Sequence, residues 1–229
     1  MSRELFEKEL KSLHNDLLRL GSTVESAVQQ SIQALKDQDL DLARMIIEND
    51  KHIDEMELKI EEKCLRIIAE QKPLRSDLRT IGAILKTLND LERMGDYATN
   101  IADRTCWIGH TPHLKPLVDI PRMGELAEDM MRKSLEAFVS RNTELAYQVY
   151  ESDKSVDQLY TDLFQELVDF ITKETDAKNS DQAIQLLFVA RYLERIADHA
   201  TNICENVIYM VTGERIKNKQ TKGLRSYNK

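Results

Sequence analysis

An all-α protein built of two tandem three-helix bundles is predicted for this chain of 229 residues by three observations. The stretch LERMGDYATNI (Leu91 to Ile101) returns 102 positions later as LERIADHATNI (Leu193 to Ile203), with eight of the eleven residues identical, which marks a tandem duplication. Seven Gly and four Pro are few for this length, while Leu, Ala, Glu, Lys, Gln and Arg are plentiful, so helix formers dominate and turn residues are scarce. Apolar residues recur at spacings of three and four, the period of a helix with one buried face.

The first helix is marked by Leu5, Leu13, Leu17, Leu20, Val24, Val28, Ile32 and Leu35, and DQDLD (Asp37 to Asp41) breaks its pattern. A second helix is expected from about Asp39 to Ala69, through Ala43, Ile46, Ile47, Ile53, Leu58, Leu65 and Ile68, with Pro73 as its stop. A third follows from Leu74 to Ile108. The segment GHTPHLKPLVDIP (Gly109 to Pro121) holds three of the four prolines and reads as a joint. The pattern then repeats over Arg122 to Val139, Thr143 to Lys173 and Ser180 to Val211, with SRNTE (Ser140 to Glu144) in the place of DQDLD. At an offset of 103, Gly21 and Ala34 align with Gly124 and Ala137, and ENDKHID (Glu48 to Asp54) aligns with ESDKSVD (Glu151 to Asp157). The predicted organisation is therefore a first repeat over residues 1–110, a joint over 111–121, a second repeat over 122–213, and a tail over 214–229. That tail is basic and poor in apolar residues, which predicts disorder.

Composition excludes several classes. A net charge of -8 argues against a general nucleic-acid binder. The N-terminal MSRELFEKELKSLHNDL alternates charged and apolar residues, unlike a secretory signal, and the longest apolar-rich run, Ala183 to Ala190, is too short to cross a bilayer. Cys64, Cys106 and Cys204 are odd in number, form no CxxC and sit among apolar helical neighbours, which predicts buried free thiols in a reducing cytosol. There is no GxxxxGK[ST], no GxGxxG, no Gly-flanked Ser nucleophile and no ExxH, so neither a nucleotide loop nor a catalytic site is expected.

What the two copies retain is polar, and a polar cluster kept twice asks for a chemical reason. On a helix, Glu92 and Asp96 emerge about 40° apart, one turn from each other, on a stripe that also carries Ile81 and Leu85. Glu194 and Asp198 repeat this in line with Ala183 and Leu187. The second helix of each half adds its own pair. Asp50 and Asp54 stand in line with Ala43, Ile47, Leu58 and Leu65, and Asp153 and Asp157 stand in line with Ala146, Tyr150, Phe164 and Val168. Acids four apart are common on solvated helix faces, but four such pairs on seams otherwise apolar predict partial burial, which costs several kcal/mol per uncompensated carboxylate. Arginine or a metal ion would balance them. With antiparallel helices two and three, each half presents four carboxylates to one point. Oxygen ligands without Cys or His suit magnesium, manganese or iron, with zinc also admissible. Asn100 and Asn202, eight residues after each Glu, could add an oxygen. Arg93 and Arg195, at i+1, point about 100° from their Glu and are expected to face solvent or another helix. His110 and His113 lack a rigid frame, His199 is expected to pack as an aromatic with a polar tip, and Trp107 is expected to anchor packing.

LERMGDYATNIAD and YLERIADHATNICENVIYMVTGE resemble the paired signatures of the PhoU family of phosphate-signalling regulators, over nearly the whole chain. The resemblance implies a cytosolic homodimer, peripheral to the membrane through its partners. It also implies multinuclear clusters of iron or another metal held at the E/DxxxD positions Asp50, Asp54, Glu92 and Asp96, and Asp153, Asp157, Glu194 and Asp198. It further implies a negative regulator, not an enzyme, that couples a phosphate ABC transporter ATPase to a sensor histidine kinase, represses the phosphate-starvation response and limits uptake. The alternatives are a metal-dependent enzyme or metal-storage bundle acting on phosphate compounds, which would need an open coordination position, and a metal-free scaffold whose acids are satisfied by Arg or Lys.

Overall fold

The computed structural model describes residues 3–215, and these form six α-helices. They are α1 (Arg3–Asp37), α2 (Leu40–Gln71), α3 (Arg75–Ile108), α4 (Asp119–Ser140), α5 (Thr143–Lys173) and α6 (Ala177–Thr212). No strand occurs among the described residues. Of the tail expected to be disordered, residues 216–229 lie outside the described part.

The first turn of each repeat is built the same way. Gln38 and Arg141 both take the left-handed conformation at φ 54°. The chain thereby turns so that the Asp39 N–H reaches the Ala34 carbonyl at 2.9 Å and the Asn142 N–H reaches the Ala137 carbonyl at 3.0 Å. The same two residues then cap the next helix, Asp39 accepting from the Leu42 N–H at 2.9 Å and Asn142 from the Leu145 N–H at 3.0 Å. Closing one helix with a left-handed residue and opening the next with a side-chain cap takes two residues. Ala34 and Ala137, fully buried beneath these turns, recur for that reason. At the end of α2, left-handed Lys72 donates to the Ile68 carbonyl and Pro73 prevents continuation. Two boundaries differ from expectation. Pro121 lies inside the first turn of α4, where its missing N–H has no intrahelical acceptor to lose. α6 begins three residues before Ser180 because Asp176 caps it, accepting from the Lys178 N–H at 2.8 Å.

α1, α2 and α3 touch pairwise, as do α4, α5 and α6, which makes two three-helix bundles. The bundles join through α3 on α6 and α1 on α4, so these four helices close a ring, with α2 and α5 on its two outer flanks. One continuous core, including Leu17, Val24, Leu88, Met131, Phe138 and Ile203, runs through both halves. The α1–α4 crossing explains the paired glycines. A Cβ on Gly21 would stand 2.3 Å from Leu135 Cδ1, and one on Gly124 would stand 2.2 Å from Ile32 Cδ1. Each half thus offers a hollow that the other fills.

Three expectations need correction. Leu58 and Leu65 are about half exposed, at 52% and 53%. The buried seam of α2 is Ala43, Ile46, Ile53, Ile60, Cys64 and Ile67, so the Asp50–Asp54 stripe runs along its margin. Trp107 is exposed and donates from Nε1 to Asp181 at 2.9 Å, tying the end of α3 to the start of α6. Cys106 is only half-buried, although all three cysteines are free. Burial pushes the Cys64 and Cys204 thiols up to about 12. Among the described residues, no helix is long and apolar enough to cross a membrane.

Candidate acidic centres of the two repeats

In the first repeat, the α2–α3 contact brings Glu92 and Asp96 within electrostatic reach of Asp50 and Asp54. Burial, the neighbouring Asp96 and, more weakly, Asp54 and Glu57 raise the Glu92 carboxyl above its ordinary range. Burial, then Asp50 and Asp54, raise Asp96. Thr99, one of the residues retained in both copies, donates from Oγ1 to Asp50 at 2.9 Å. Glu57 joins the group unforeseen, its own carboxyl raised by burial, Glu61 and Asp54. It falls seven residues after Asp50 on the same stripe, a spacing that was visible in the sequence.

The second centre is more enclosed. Glu194 is 13% exposed, and its Oε2 is shut from solvent without a hydrogen bond. Its carboxyl is pushed up to about 7, by burial first and then by Asp198 and Asp157, against the opposing pull of Arg191 and Arg195. Arg191 meets Glu194 Oε1 at 2.7 Å and lies over the Tyr160 ring, 5.7 Å from its centroid. Asp153 lies one turn before Asp157 on α5, half-buried, with Oδ1 closed off from water. Where the first repeat has Glu57 and Glu61, the second has Tyr160 and Phe164, so the two centres differ in charge.

Arg93 and Arg195 face solvent as expected, with 53% and 44% of the side chain exposed, yet in both copies they also act as counter-charges to the acids. Arg93 bridges Asp96 at 3.0 Å and Glu92 at 3.5 Å, and Arg195 bridges Asp198 at 3.3 Å and Glu194 at 4.0 Å. An arginine one residue after the Glu is also three residues before the Asp, and its long side chain curls back along the surface to both. Asn202 is not aimed at these centres. It donates to Asp90 at 3.1 Å across the α3–α6 contact, where His199 Nδ1 (2.9 Å) and Asn206 Nδ2 (3.3 Å) meet the same buried carboxylate. His199 also lies tilted against Tyr97, as expected of an aromatic with a polar tip.

The donor chemistry suits a hard cation: desolvated carboxylates that repel one another, with one enclosed oxygen on Glu194 that accepts no hydrogen bond. A ready-made cage is not present. Among the described residues no three His, Cys, Asp or Glu side chains converge enough to hold an ion, and Asp96 and Asp198 are turned toward their arginines.

Residues 17–105 and 120–207 match the PhoU domain. A protein of Clostridium acetobutylicum named "Phosphate-specific transport system accessory protein PhoU homolog" is 41% identical over 94% of this chain and 98% of its own length. The Escherichia coli K12 "Phosphate-specific transport system accessory protein PhoU" is 36% identical over 91% of this chain and 86% of its own. Among solved structures, PhoU of Pseudomonas aeruginosa superposes with a TM-score of 0.86 at 37% identity, covering 91% of this chain and all of that one. The phosphate transport system regulatory protein PhoU of Streptococcus pneumoniae gives 0.86 at 31% identity, over 93% of this chain and all of that one.

Proposed function

This chain belongs to the PhoU family, and we propose that it serves as an accessory regulator of a phosphate-specific transport system, coupling the transporter ATPase to a membrane sensor histidine kinase. In this reading it holds the phosphate-starvation response off when phosphate is plentiful, limits uptake, and works as a homodimer at the inner face of the membrane, as an adaptor and not as a catalyst. Similarity along almost the whole length to relatives named as transport accessory proteins supports the role in phosphate transport.

The observation on this chain's own residues that carries the mechanism is the pair of desolvated carboxylate clusters, each joining an outer helix to an inner one. Asp50, Asp54, Glu92 and Asp96 on α2 and α3, and Asp153, Asp157, Glu194 and Asp198 on α5 and α6, would hold iron, zinc, manganese or magnesium. Such an ion supplies positive charge that offsets the repulsion and ties flank to ring. Arg93 and Arg195 hold Asp96 and Asp198 along their own helices. Freed from those arginines, the two aspartates face α2 and α5, so the position of the outer helices becomes the variable that a docking partner reads.

Two measurements test this separately. Elemental analysis of protein prepared without chelator or affinity metal is expected to find stoichiometric metal that disappears in an Asp96→Ala, Asp198→Ala variant. In a strain lacking its own homologue, the chain is expected to restore repression of a phosphate-starvation reporter at high phosphate, and the variant to fail. Metal loss with repression intact would remove the ion from the mechanism; no repression by the unaltered chain would remove the regulatory reading.

A further inference from the structure

We propose that Arg191 is a tethered cation seated in the second acidic centre, where it competes with a metal ion for Glu194, so that the two repeats load metal in order, the first before the second. The inference deepens the metal-binding reading given above and rests on it.

The centres share one arginine each. Arg93 bridges Glu92 and Asp96 as Arg195 bridges Glu194 and Asp198, so this pair cancels when the two are compared. Arg191 has no such counterpart. The position 102 residues before it holds uncharged Asn89, and where α5 has Tyr160 and Phe164, α2 has Glu57 and Glu61. The first centre thus gathers Asp50, Asp54, Glu57, Glu92 and Asp96 around Arg93. In the second, Asp157, Glu194 and Asp198 are answered by both Arg191 and Arg195.

Arg191 has a built seat. Its guanidinium donates to Glu194 Oε1 at 2.7 Å, from a position three residues earlier on α6, where helical side chains meet. It lies 5.7 Å from the centroid of the Tyr160 ring on α5, and that ring packs against Phe164 at 6.0 Å. Arg191 therefore spans α6 and α5, the same two helices that an ion would tie. With Glu57 in the place of the ring and Asn89 in the place of the arginine, the first centre has neither seat nor occupant. Glu194 Oε2, closed from solvent and without a hydrogen bond, is the oxygen left for a hard cation. Such an ion would lie beside the guanidinium, and like charges that close repel strongly where water is scarce. Arg191 must therefore leave Oε1 before Glu194 can turn both oxygens to an ion. Its side chain is 38% exposed, which gives it a way out to solvent. A seat filled about nine-tenths of the time lowers the apparent affinity for the competing ion about tenfold.

The test titrates metal-free full-length chains with manganese(II) and follows the paramagnetic resonance signal of the free ion. Asp198→Ala leaves the first centre to be read alone, and Asp96→Ala leaves the second. The Asp198→Ala chain is expected to bind about tenfold more tightly than the Asp96→Ala chain. Adding Arg191→Asn, which gives the second repeat the residue of the first, is expected to tighten binding to the Asp96→Ala chain about tenfold and to leave the Asp198→Ala chain unchanged. Arg191→Met, which keeps a long side chain over Tyr160 without the charge, is expected to act in the same direction, so the outcome does not hang on one variant's folding. Thermal melts without metal identify the folded chains. Equal affinity at the two centres, or no tightening by either Arg191 variant, would overturn the proposal and leave the metal reading in place. So would tightening of both centres alike, since Arg191 would then act only through the general charge of the protein. No manganese on any of the chains would remove the metal reading itself, and the proposal with it.

Discussion

Glu128 on α4 shows what an acid does here when no arginine answers it. Burial first, and then Glu25 and Glu125, push its carboxyl up to about 7 from the ordinary 4.5. Below pH 4 the carboxyl is protonated in both folded and unfolded chains, and nothing is lost. Between about 4.5 and 7 the unfolded chain releases its proton first, so native stability falls as pH rises, and the full penalty stands above 7. A displacement of that size corresponds to at most roughly 3 kcal/mol, which partial solvent access reduces to about 1–2 kcal/mol. Glu128→Gln is therefore expected to stabilise the protein by about that amount at pH 8 and to be silent at pH 4, in urea melts at the two pH values. A variant less stable than the parent at pH 8 would contradict this. Glu194, also raised to about 7, has the same sign in metal-free protein, but Arg191 and Arg195 already oppose the shift. Those arginines mark the limit of sequence reading at this scale. The angle from Glu92 to Arg93 is correctly about 100°, but a helical wheel locates Cβ atoms and not the end of a long, flexible side chain.

Helices and their turns were largely legible, because local chemistry decides them. Asp39 and Asn142 are cap residues, Pro73 is a stop, and the apolar spacing runs unbroken between them. Periodicity counts apolar residues, however, and not neighbours. Among the described residues α2 touches only α1 and α3, so a narrow seam suffices, and Leu58 and Leu65 remain outside it although they share a stripe with Ala43. The duplicated glycines were visible as a match but not as a contact, since only the α1–α4 crossing shows what fills them. Gly21→Ala is expected to cost about 1–3 kcal/mol, because Leu135 is buried and must shift from the new methyl. Gly82→Ala, whose added Cβ would meet nothing within 4 Å among the described residues beyond its own turn of helix, is expected to gain about 0.5–1 kcal/mol from helix propensity. Thermal melts of the two variants side by side check the pair; equal shifts would show that the crossing is not close-packed.

At the scale of the molecule, the duplication announced two halves, and the polar part of what binds them into one body lies largely in residues that the halves do not share. Asp90 aligns with Tyr192 and Tyr97 with His199, so none of the four carries a repeat signal. Asp90 is 6% exposed and accepts from three side chains of the other half. Removing it as Asp90→Ala leaves three donors in a half-buried junction and is expected to cost about 2–4 kcal/mol. Trp107, hydrogen-bonded to Asp181 of the second repeat, reports the same junction from its far end. Its fluorescence and the helical circular dichroism are expected to change together in urea for the parent chain and to separate in the variant; coincident transitions in both would show that the halves are held by the apolar core alone.

The α3–α6 pair carries a further consequence. On one side of its twofold pseudo-axis, Asp90 meets His199; at the equivalent place on the other side, Tyr97 stacks on Tyr192 with ring centroids 5.8 Å apart. Two copies of the first repeat alone would set Asp90 against Tyr97 twice, and two copies of the second would set Tyr192 against His199. Exchanging either repeat for a second copy of the other would therefore lose both the Asp90–His199 bond and the Tyr97–Tyr192 stack, so the two halves are no longer interchangeable at this contact.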